Sequence, residues 1–201
     1  MTLRSERVMR MPPMKMVDAE AHGEAILEYL CPEALKRPTR INIKSWVDLQ
    51  LQELGIHVYP ASAKELGDRE GATDPSGKQG DEITILLDED LWDDLDIGGR
   101  KAHRANTTVA HEVSHAFVHV PIVRRRISLP GLVLPRAKRE NLEAYEDQEW
   151  QAFAIAGCTL APRRTIKMLG SPPTPGLISE VYGMSEAMAE KHLKRLKLIP
   201  R

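Results

Sequence analysis

The chain has 201 residues, of which 42% are hydrophobic and 28% are charged, and its formal net charge at pH 7 is −1. This balance is typical of a globular protein with an ordinary hydrophobic core, and it excludes a global electrostatic attraction to nucleic acid or acidic membranes. Aromatic residues make up 4% of the chain, which disfavours a protein that binds single-stranded nucleic acid by stacking.

Cysteine usage and apolar runs bear on the cellular compartment. Cys31 and Cys158 are the only cysteines, and both lie in segments with a helical pattern, so a disulfide framework is not indicated. No apolar run reaches the length of a membrane span, and the first residues lack the apolar core of a signal peptide. We therefore expect a cytoplasmic protein that does not contact membranes.

The first quarter of the chain predicts an arm followed by two helices. Residues 1–16 mix basic residues, methionines and a proline pair without periodicity, and we expect them to form a disordered arm. Asp18 is placed to cap the first helix. The inward face of that helix would carry Ala21, Ala25, Ile26 and Leu30. Apolar residues at helical spacing predict a second helix from Ile43 to Leu54, with Gly55 as its stop.

The periodicity then changes to two, which predicts a small sheet and an α+β fold. Residues 56–60 and 82–88 alternate apolar and polar side chains as strands do, and a polar loop through Gly71 and Gly77 separates them. The inward face of the second strand would carry Ile83, Ile85 and Leu87. Two readings of that strand stay open: an ordinary half-buried strand, or an unpaired edge that an extended substrate joins, as in zinc peptidases.

The stretch from Thr107 to Val120 carries the strongest chemical signal in the chain. His111, Glu112 and His115 follow the order H-E-x-x-H between flanks with a helical pattern. Residues four apart lie on one helix face, so two imidazoles can reach one metal ion, for which zinc is the natural occupant. Glu112 can then reach a water on the metal without filling a coordination position, which is the general-base arrangement of metallopeptidases. The motif's neighbours are apolar, and a buried helix rarely holds such polar residues unless they are paired or coordinated.

The residues after the motif supply a candidate third ligand. Pro121 is expected to end the helix, and the basic segment 124–139 is expected to be a long connection. The first three arginines of this segment are either solvated or bind the acidic surface of a partner. The spacing predicts a long helix over 138–159 with an acid inside an apolar stripe. That stripe comprises Leu142, Glu146, Glu149, Ala152, Phe153, Ala156 and Leu160. A catalytic zinc normally has three protein ligands plus water, so Glu149 fits as the third.

Residues 166–201 predict a helical segment that resembles a helix-turn-helix. Thr174 begins a short helix that ends near Gly183, and Ser185 caps a final helix. The final helix is basic, which would suit a weak contact with DNA phosphates. Its basic residues are Lys191, Lys194, Arg195 and Lys197. The alternative is a pair of helices that complete the core, because one such unit in a near-neutral chain gives weak affinity for DNA.

Two blocks of the sequence carry a family resemblance. The chain reads RANTTVAHEVSHAFVH over residues 104–119 and EWQAFAIAGCTLAP over residues 149–162. They resemble the R-x-F-T-x-A-H-E-x-x-H lead-in, with a histidine following, and the E-x-E-A-N-x-F-A-x-x-L-L-M-P segment of the ImmA/IrrE family of bacterial and phage metallopeptidases. The match places Glu149 at the family's third zinc ligand. It departs from the family where Gln151 replaces a glutamate and Phe153 replaces an asparagine.

The resemblance implies a fold, an activity and a partner. The fold would be a zincin-like metallopeptidase domain over 17–165, with a small sheet and the HExxH helix, followed by the helix-turn-helix-like segment 166–201. The activity would be that of a cytoplasmic, gluzincin-like zinc endopeptidase that cleaves one protein partner, usually a helix-turn-helix transcriptional repressor encoded nearby. Cleavage would derepress a mobile element or a stress response, and some relatives belong to toxin–antitoxin pairs.

The expected mechanism assigns a role to each site residue. His111, His115 and Glu149 hold Zn²⁺, and Glu112 takes a proton from the attacking water and returns it to the leaving amine. A further group must stabilise negative charge on the carbonyl oxygen, and the candidates are His119, Tyr145 and His103. His119 has the alternative role of orienting a ligand or packing in the core.

Two other functions fit the same sequence. One is a non-proteolytic regulator or antitoxin-type binding protein whose zinc site is structural. An open coordination position favours the enzyme, and a fourth protein ligand favours the binding protein. The other is a DNA-binding regulator that acts through residues 175–198.

Overall fold

Helices account for most of the described structure, and a small sheet lies against them. The computed structural model describes residues 7–75, 82–127 and 136–200. Its α-helices are α1 (Met16–Leu30), α2 (Ile43–Ser45), α3 (Leu51–Glu53), α4 (Ala63–Leu66), α5 (Glu89–Ile97), α6 (Ala102–Ser114), α7 (Val120–Ile127), α8 (Gln148–Leu160), α9 (Arg163–Ile166), α10 (Pro175–Tyr182) and α11 (Glu186–Arg195). Its strands are β1 (Arg7–Met9), β2 (Ile56–Ala61), β3 (Gly71–Asp74), β4 (Ile83–Asp88) and β5 (Arg136–Lys138). The predicted α+β class is confirmed.

The three-stranded sheet has the order β2-β4-β3. β2 and β4 are parallel, with Ile56 opposite Ile83, whereas β3 runs antiparallel along the other side of β4, with Gly71 opposite Leu87. The predicted inward face of β4 is confirmed, since Ile83, Ile85 and Leu87 are buried. The prediction that β4 presents an unpaired edge is wrong, because β4 is paired along both sides and β3 has the outer position.

β3 lies where the sequence predicts a polar loop. Its four residues, Gly-Ala-Thr-Asp, lack the alternation of apolar and polar side chains that marks a strand. The strand forms because β4 offers it a row of backbone partners, which is a tertiary effect that local periodicity does not record. Gly77, predicted for the same loop, lies outside the described residues.

The segment from Arg7 to Met16 is part of the fold, so the prediction of a disordered arm is wrong for it. β1 pairs antiparallel with β5, and Met11 and Met14 are buried. The backbone N–H groups of those methionines donate to the carbonyls of Glu146 and Tyr145 at 3.0 and 2.9 Å. Two buried methionines in an irregular segment have no period, which is why the sequence gives no sign of them. The rest of the predicted arm lies outside the described residues.

Both helices predicted in the first quarter are present, with corrected details. α1 begins at Met16, and the Asp18 carboxylate accepts a hydrogen bond from the backbone N–H of Lys15 at 2.8 Å. Ala21 and Ala25 are exposed, and the buried face of α1 carries Ala19, Gly23, Ile26, Leu27 and Leu30. The second predicted helix consists of α2, a π-helical turn (Trp46–Gln50) and α3, and its end before Gly55 is confirmed.

The helix that carries the HExxH motif is longer than predicted. α6 continues through a π-helical turn (His115–His119) into α7, so the prediction that Pro121 ends the helix is wrong. A proline is excluded from a regular α-helix because its ring meets the carbonyl four residues earlier. Here that carbonyl belongs to the π turn, which carries an extra residue and changes the backbone register before the proline.

The arginine run that follows the motif is not uniform. Arg124 donates to the backbone carbonyls of Pro75 and Glu82 at 2.9 and 2.6 Å, so it ties α7 to the end of β3 and the start of β4. For Arg124, neither of the two predictions from the sequence is right: the side chain is not simply solvated, and it is not available to bind an acidic partner. Arg125 is exposed, and the side chain of Arg126 lies outside the described residues.

The long helix predicted over 138–159 begins ten residues late. β5 and two 3₁₀ turns, Arg139–Asn141 and Ala144–Glu146, precede α8, which starts at Gln148. The helix cannot extend backwards because Asp147 has extended backbone angles and caps it, accepting a hydrogen bond from the backbone N–H of Glu149 at 3.0 Å. This cap fixes the first turn of α8.

α8 is the central helix, and it packs against α1 and α6. The C-terminal helices α10 and α11 belong to the same hydrophobic core, to which they and the turn between them contribute Ile178, Tyr182, Met184, Met188, Ala189 and Leu193. Within the described ranges, none of the helices combines the length and apolarity needed to cross a membrane.

Candidate metal centre

Two packed helices bring the predicted ligands together. His111 lies in α6 and His115 begins the π turn, one helical turn later on the same face. Glu149 is in the first turn of α8, where the Asp147 cap holds its backbone. α6 and α8 are buried against each other, so the three side chains meet at their contact.

The ligand atoms are spaced as a shared metal ion requires. His111 Nε2 lies 3.1 Å from His115 Nε2 and 3.1 Å from Glu149 Oε2, and His115 Nε2 lies 3.5 Å from Glu149 Oε1. Neighbouring ligands of a tetrahedral ion with metal–nitrogen bonds of about 2.0–2.1 Å are about 3.3 Å apart. The set of His111, His115 and Glu149 could therefore hold a metal ion.

The charges of the set also favour a cation. Burial opposes ionisation of the Glu149 carboxyl, but the hydrogen bond with His111 and the nearby His115 ring outweigh it, and its pKa lies below the ordinary value. His111 Nε2 thus faces an ionised carboxylate and a second ring nitrogen. A cation placed between them satisfies all three groups at once, which a single proton cannot do.

Glu112 is held beside the ligands by the outer strand of the sheet. The Thr73 hydroxyl donates to Glu112 Oε2 at 2.6 Å, and Glu112 Oε1 lies 4.0 Å from His111 Nε2. A Cβ atom at Gly71 would lie 2.9 Å from Glu112 Cγ, so only glycine lets the β3 backbone approach this closely. Glu112 itself is buried. One carboxylate oxygen is anchored, and the other faces the ligand set.

His119 lies behind the ligands rather than among them. Its Nδ1 is 2.9 Å from His115 Nδ1, and its Nε2 is 3.0 Å from the Gln151 side-chain oxygen. Burial, followed by the nearby charge of His115, lowers the pKa of His119 to about 3, so the ring is neutral at neutral pH. Of the three roles that the sequence left open for His119, the geometry matches the one in which it orients a ligand.

The other two oxyanion candidates are not at the centre. Tyr145 is 45% exposed and does not line the cleft around the ligands, and its backbone carbonyl rather than its hydroxyl contacts the site, through Gln151. His103 lies about two helical turns before His111 in α6, where its Nδ1 is 3.2 Å from the Ser179 hydroxyl. The structure does not bring either side chain to the ligands.

A cleft of about 880 Å³ opens above the ligands. β3 and the residues before it form one wall, and the first turn of α8 and the start of α11 form parts of the other. On the β3 side Arg104 pairs with Glu70, and hydrogen bonds from Arg104 lower the pKa of the Glu70 carboxyl. Apolar side chains also line the cleft, namely Met9, Val120, Val123, Phe153 and Met188.

Sequence reasoning missed Thr73 and Gln151 as parts of the site. Thr73 lies in a strand that the sequence predicts as loop, so no local signal pointed to it. Gln151 was visible only as a departure from the family pattern, and its partners, the carbonyls of Pro12 and Tyr145, lie outside its own helix, so no local signal marked it.

The start of α11 faces the cleft, which bears on the predicted DNA contact. The backbone N–H of Ser185 donates to the Thr107 hydroxyl at 2.9 Å, and Lys191 lines the cleft. Lys194 pairs with Glu190, and the Arg195 guanidinium lies 5.8 Å from the Trp150 ring centroid. These contacts match the alternative in which the helices complete the core.

None of the protein-family models, curated proteins or solved structures compared with this chain matches it. The resemblance to the ImmA/IrrE family therefore stays a prediction that depends on the two sequence blocks.

Proposed function

We propose that this chain is a zincin-like, zinc-dependent endopeptidase that hydrolyses a peptide bond of a protein partner. The observation that carries the proposal is the convergence of His111, His115 and Glu149, with the Glu112 carboxylate beside them and not among them. Two imidazoles and one carboxylate are the ligands of several catalytic zinc sites. Zinc suits this donor set better than calcium or magnesium, which prefer oxygen ligands.

The number of ligands supports an enzyme rather than a structural site. Within the described residues the set that could hold a metal contains three ligand residues, and structural zinc sites almost always have four. His119, the nearest further histidine, is turned away, because its ring nitrogens contact His115 Nδ1 and the Gln151 side chain. Three protein ligands would leave a position on a bound zinc for water, beside the buried Glu112 carboxylate, as hydrolysis requires.

The chain's own residues then divide the proton transfers between them. When bound, zinc supplies a Lewis acid that polarises the scissile carbonyl and makes a nearby water more acidic. Glu112 Oε1, the oxygen that Thr73 leaves free, accepts a proton as the water oxygen bonds to the carbonyl carbon. Glu112 then gives this proton to the amide nitrogen as the carbon–nitrogen bond breaks. Thr73 keeps the carboxylate in position throughout.

The substrate we propose is a helix-turn-helix transcriptional repressor encoded nearby. The support is the resemblance of residues 104–119 and 149–162 to a family that cleaves such repressors. The cleft has a volume of about 880 Å³ and is lined by both apolar and charged residues, which could contact the side chains of a protein substrate. An antitoxin-type binding protein is the alternative, and the same experiment separates the two.

The test compares wild-type protein with Glu112→Gln, each loaded with zinc and incubated with the purified repressor from the adjacent gene. We expect about one zinc per chain in both proteins, because Glu112 is not a ligand. We expect cleavage by wild type and a loss of about 10²–10⁴-fold in rate for the variant, because general-base catalysis contributes that much. Glu143→Gln changes an exposed glutamate and is the matched control.

Equal cleavage by Glu112→Gln and wild type would contradict the assignment of the base. Wild-type protein that is folded yet takes up no zinc would contradict the whole proposal. A stable complex with the repressor that is never cut would support the binding protein.

A further inference from the structure

A line of hydrogen bonds leads from one ligand to the N-terminal segment. His115 Nδ1 lies 2.9 Å from His119 Nδ1, and His119 Nε2 lies 3.0 Å from the side-chain oxygen of Gln151. The Gln151 side-chain nitrogen lies 2.9 Å from the carbonyl of Pro12 and 2.8 Å from the carbonyl of Tyr145. His119 and Gln151 are both almost fully buried, at 3% and 1% exposure.

The two backbone carbonyls that contact Gln151 determine which atom donates and which accepts in every hydrogen bond of this line. Carbonyl oxygens only accept hydrogen bonds, so the two carbonyls take both hydrogens of the Gln151 amide and fix which way the amide faces. The Gln151 oxygen then accepts, so His119 must carry its hydrogen on Nε2. A neutral imidazole with hydrogen on Nε2 has a lone pair on Nδ1, so His115 must donate from Nδ1.

In the neutral His115 ring, hydrogen on Nδ1 leaves the other nitrogen with a lone pair. That nitrogen, Nε2, is the atom that faces His111 and Glu149 in the ligand set. We infer that Gln151 and His119 are positioning residues that fix His115 in its metal-binding tautomer before a metal arrives. The inference rests on the metal site of the proposed function, and it adds that the N-terminal segment, through the Pro12 carbonyl, helps to build that site.

His111 provides an internal contrast. Its Nδ1 is buried, and within the described residues it has no hydrogen-bond partner. Its ring lies against Phe153, with 4.1 Å between the ring centroids. His111 is therefore held by packing, whereas His115 is held by a directed line of hydrogen bonds.

The first experiment measures zinc affinity by competition with a chelator. Partners that orient a metal-binding histidine are typically worth 10–100-fold in metal affinity, and we expect about that loss for Gln151→Leu. Gln151→Glu keeps an acceptor for His119 Nε2 but replaces the amide NH₂ with an oxygen, so it cannot donate to both carbonyls. We call this line of hydrogen bonds, from Gln151 through His119 to His115, the relay. If the relay orients His115, the zinc affinity of Gln151→Glu stays within a few-fold of that of wild type.

A role in which Gln151 only ties two backbone segments together predicts the opposite order. In that case Gln151→Glu loses at least as much affinity as Gln151→Leu, and this result would overturn the inference. Asn106→Leu is the matched control, since Asn106 is also a buried amide that donates to a carbonyl, that of Gly183, but does not line the cleft. We expect this control to bind zinc as wild type does.

A series arrangement makes a further prediction for a double variant. His119→Phe removes the acceptor for His115 Nδ1, and its loss of zinc affinity should be similar to that of Gln151→Leu. The double variant should lose no more than the larger single loss, because both changes break the same line. Losses that multiply would overturn the relay.

The second experiment needs no variant and no metal. Long-range ¹H–¹⁵N correlation spectra of metal-free wild-type protein distinguish the two tautomers of each histidine ring. We expect hydrogen on Nε2 of His119 and on Nδ1 of His115. Hydrogen on Nδ1 of His119 would overturn the inference. This measurement decides the relay even if the protein fails to bind zinc, in which case only the proposed function falls.

Discussion

The HExxH region and the C-terminal helix pair both carry sequence patterns of known functions, yet they use their polar residues differently. In the first, His111, Glu112 and Glu149 face one another in a cleft, with apolar residues around them. In the second, the basic residues of α11 point to separate neighbours, with Lys194 on Glu190 and Arg195 over Trp150.

The difference lies in what burial does to charge. A polar group that is buried must find a partner of matching chemistry, so a pattern of buried polar residues constrains its neighbours strongly. A charge on an exposed helix face is satisfied by water or by any opposite charge nearby, at a gain of a few tenths of a kcal/mol. The HExxH pattern therefore carries more information about function than the basic pattern of α11.

The largest effect is expected from removing the third ligand of the cluster. A structural zinc site contributes about 10–16 kcal/mol through four ligands, or roughly 3 kcal/mol for each. Glu149→Ala should therefore weaken zinc binding on the order of a hundredfold. Chelator competition measures this, with Glu143→Ala as an exposed control. Unchanged zinc affinity would show that Glu149 is not a ligand and would remove the contrast between the two regions.

The C-terminal region should have its own large effect, on stability rather than on chemistry. His192 is fully buried, and burial lowers its pKa to about 4 from an ordinary value of 6.5. The unfolded chain takes up this proton as the pH falls through 6.5, while the folded ring stays neutral until about pH 4. The stability that His192 contributes is therefore fully present above about pH 6.5 and is lost between pH 6.5 and 4.

Between pH 7 and pH 5 this loss should be about 2 kcal/mol in the free energy of unfolding. His192→Leu removes the titration and should flatten the slope in that window, although it also loses the hydrogen bond to the Ala161 carbonyl. Urea unfolding at a series of pH values measures the slope, and His22→Leu, at an exposed histidine, is the control. A slope that is the same in wild type and His192→Leu would contradict this assignment.

A smaller effect is expected where β3 meets the general base. Thr73→Val keeps a β-branched side chain but removes the hydroxyl, which lies 2.6 Å from Glu112 Oε2 and 3.1 Å from the Glu112 backbone carbonyl. A single hydrogen bond to a carboxylate is worth about 1.5 kcal/mol, so kcat should fall about tenfold while zinc content is unchanged. Thr39→Val, whose exposed hydroxyl donates to the local Arg37 carbonyl, is the control. A loss of zinc from Thr73→Val would instead place Thr73 among the groups that support the metal.

The smallest effect is expected on the surface of α11. Lys194→Ala breaks an exposed pair with Glu190 and should leave the midpoint of urea unfolding unchanged, because water screens such pairs. It should not change the protein's retention on duplex DNA at low salt, since this helix packs into the core. A salt-sensitive affinity for DNA that Lys194→Ala abolishes would favour the DNA-binding regulator. The basic pattern of α11 would then carry as much information about function as the HExxH pattern.

The ligand set was predictable because each part of it follows from local spacing. Two histidines four apart share a face of any helix, and Glu149 lies on the apolar stripe that must pack against that helix. The helix was predicted to start ten residues too early, but this error did not affect the prediction of Glu149 as a ligand. What matters for packing is the helical register near Glu149, and Ala152 and Leu160, on the same stripe, are both buried.

The groups that support the ligands were not predictable, because they come from distant segments. Thr73 lies in a strand that exists only through pairing with β4, and Gln151 acquires its meaning from the carbonyls of Pro12 and Tyr145. Pro121 shows the same limit in another form. Its effect on the helix depends on the π turn before it, and the residue itself gives no sign of that turn.

Gly71 has a consequence for how this sequence can evolve. It contributes no side chain to the chemistry, yet any other residue there would push its Cβ to within 2.9 Å of Glu112 Cγ and 3.0 Å of Thr108 Cγ2. Purifying selection on the carboxylate at position 112 must therefore extend to position 71, forty-odd residues earlier in the gene. Homologous sequences that lack a glycine at position 71 should therefore also lack a glutamate at position 112.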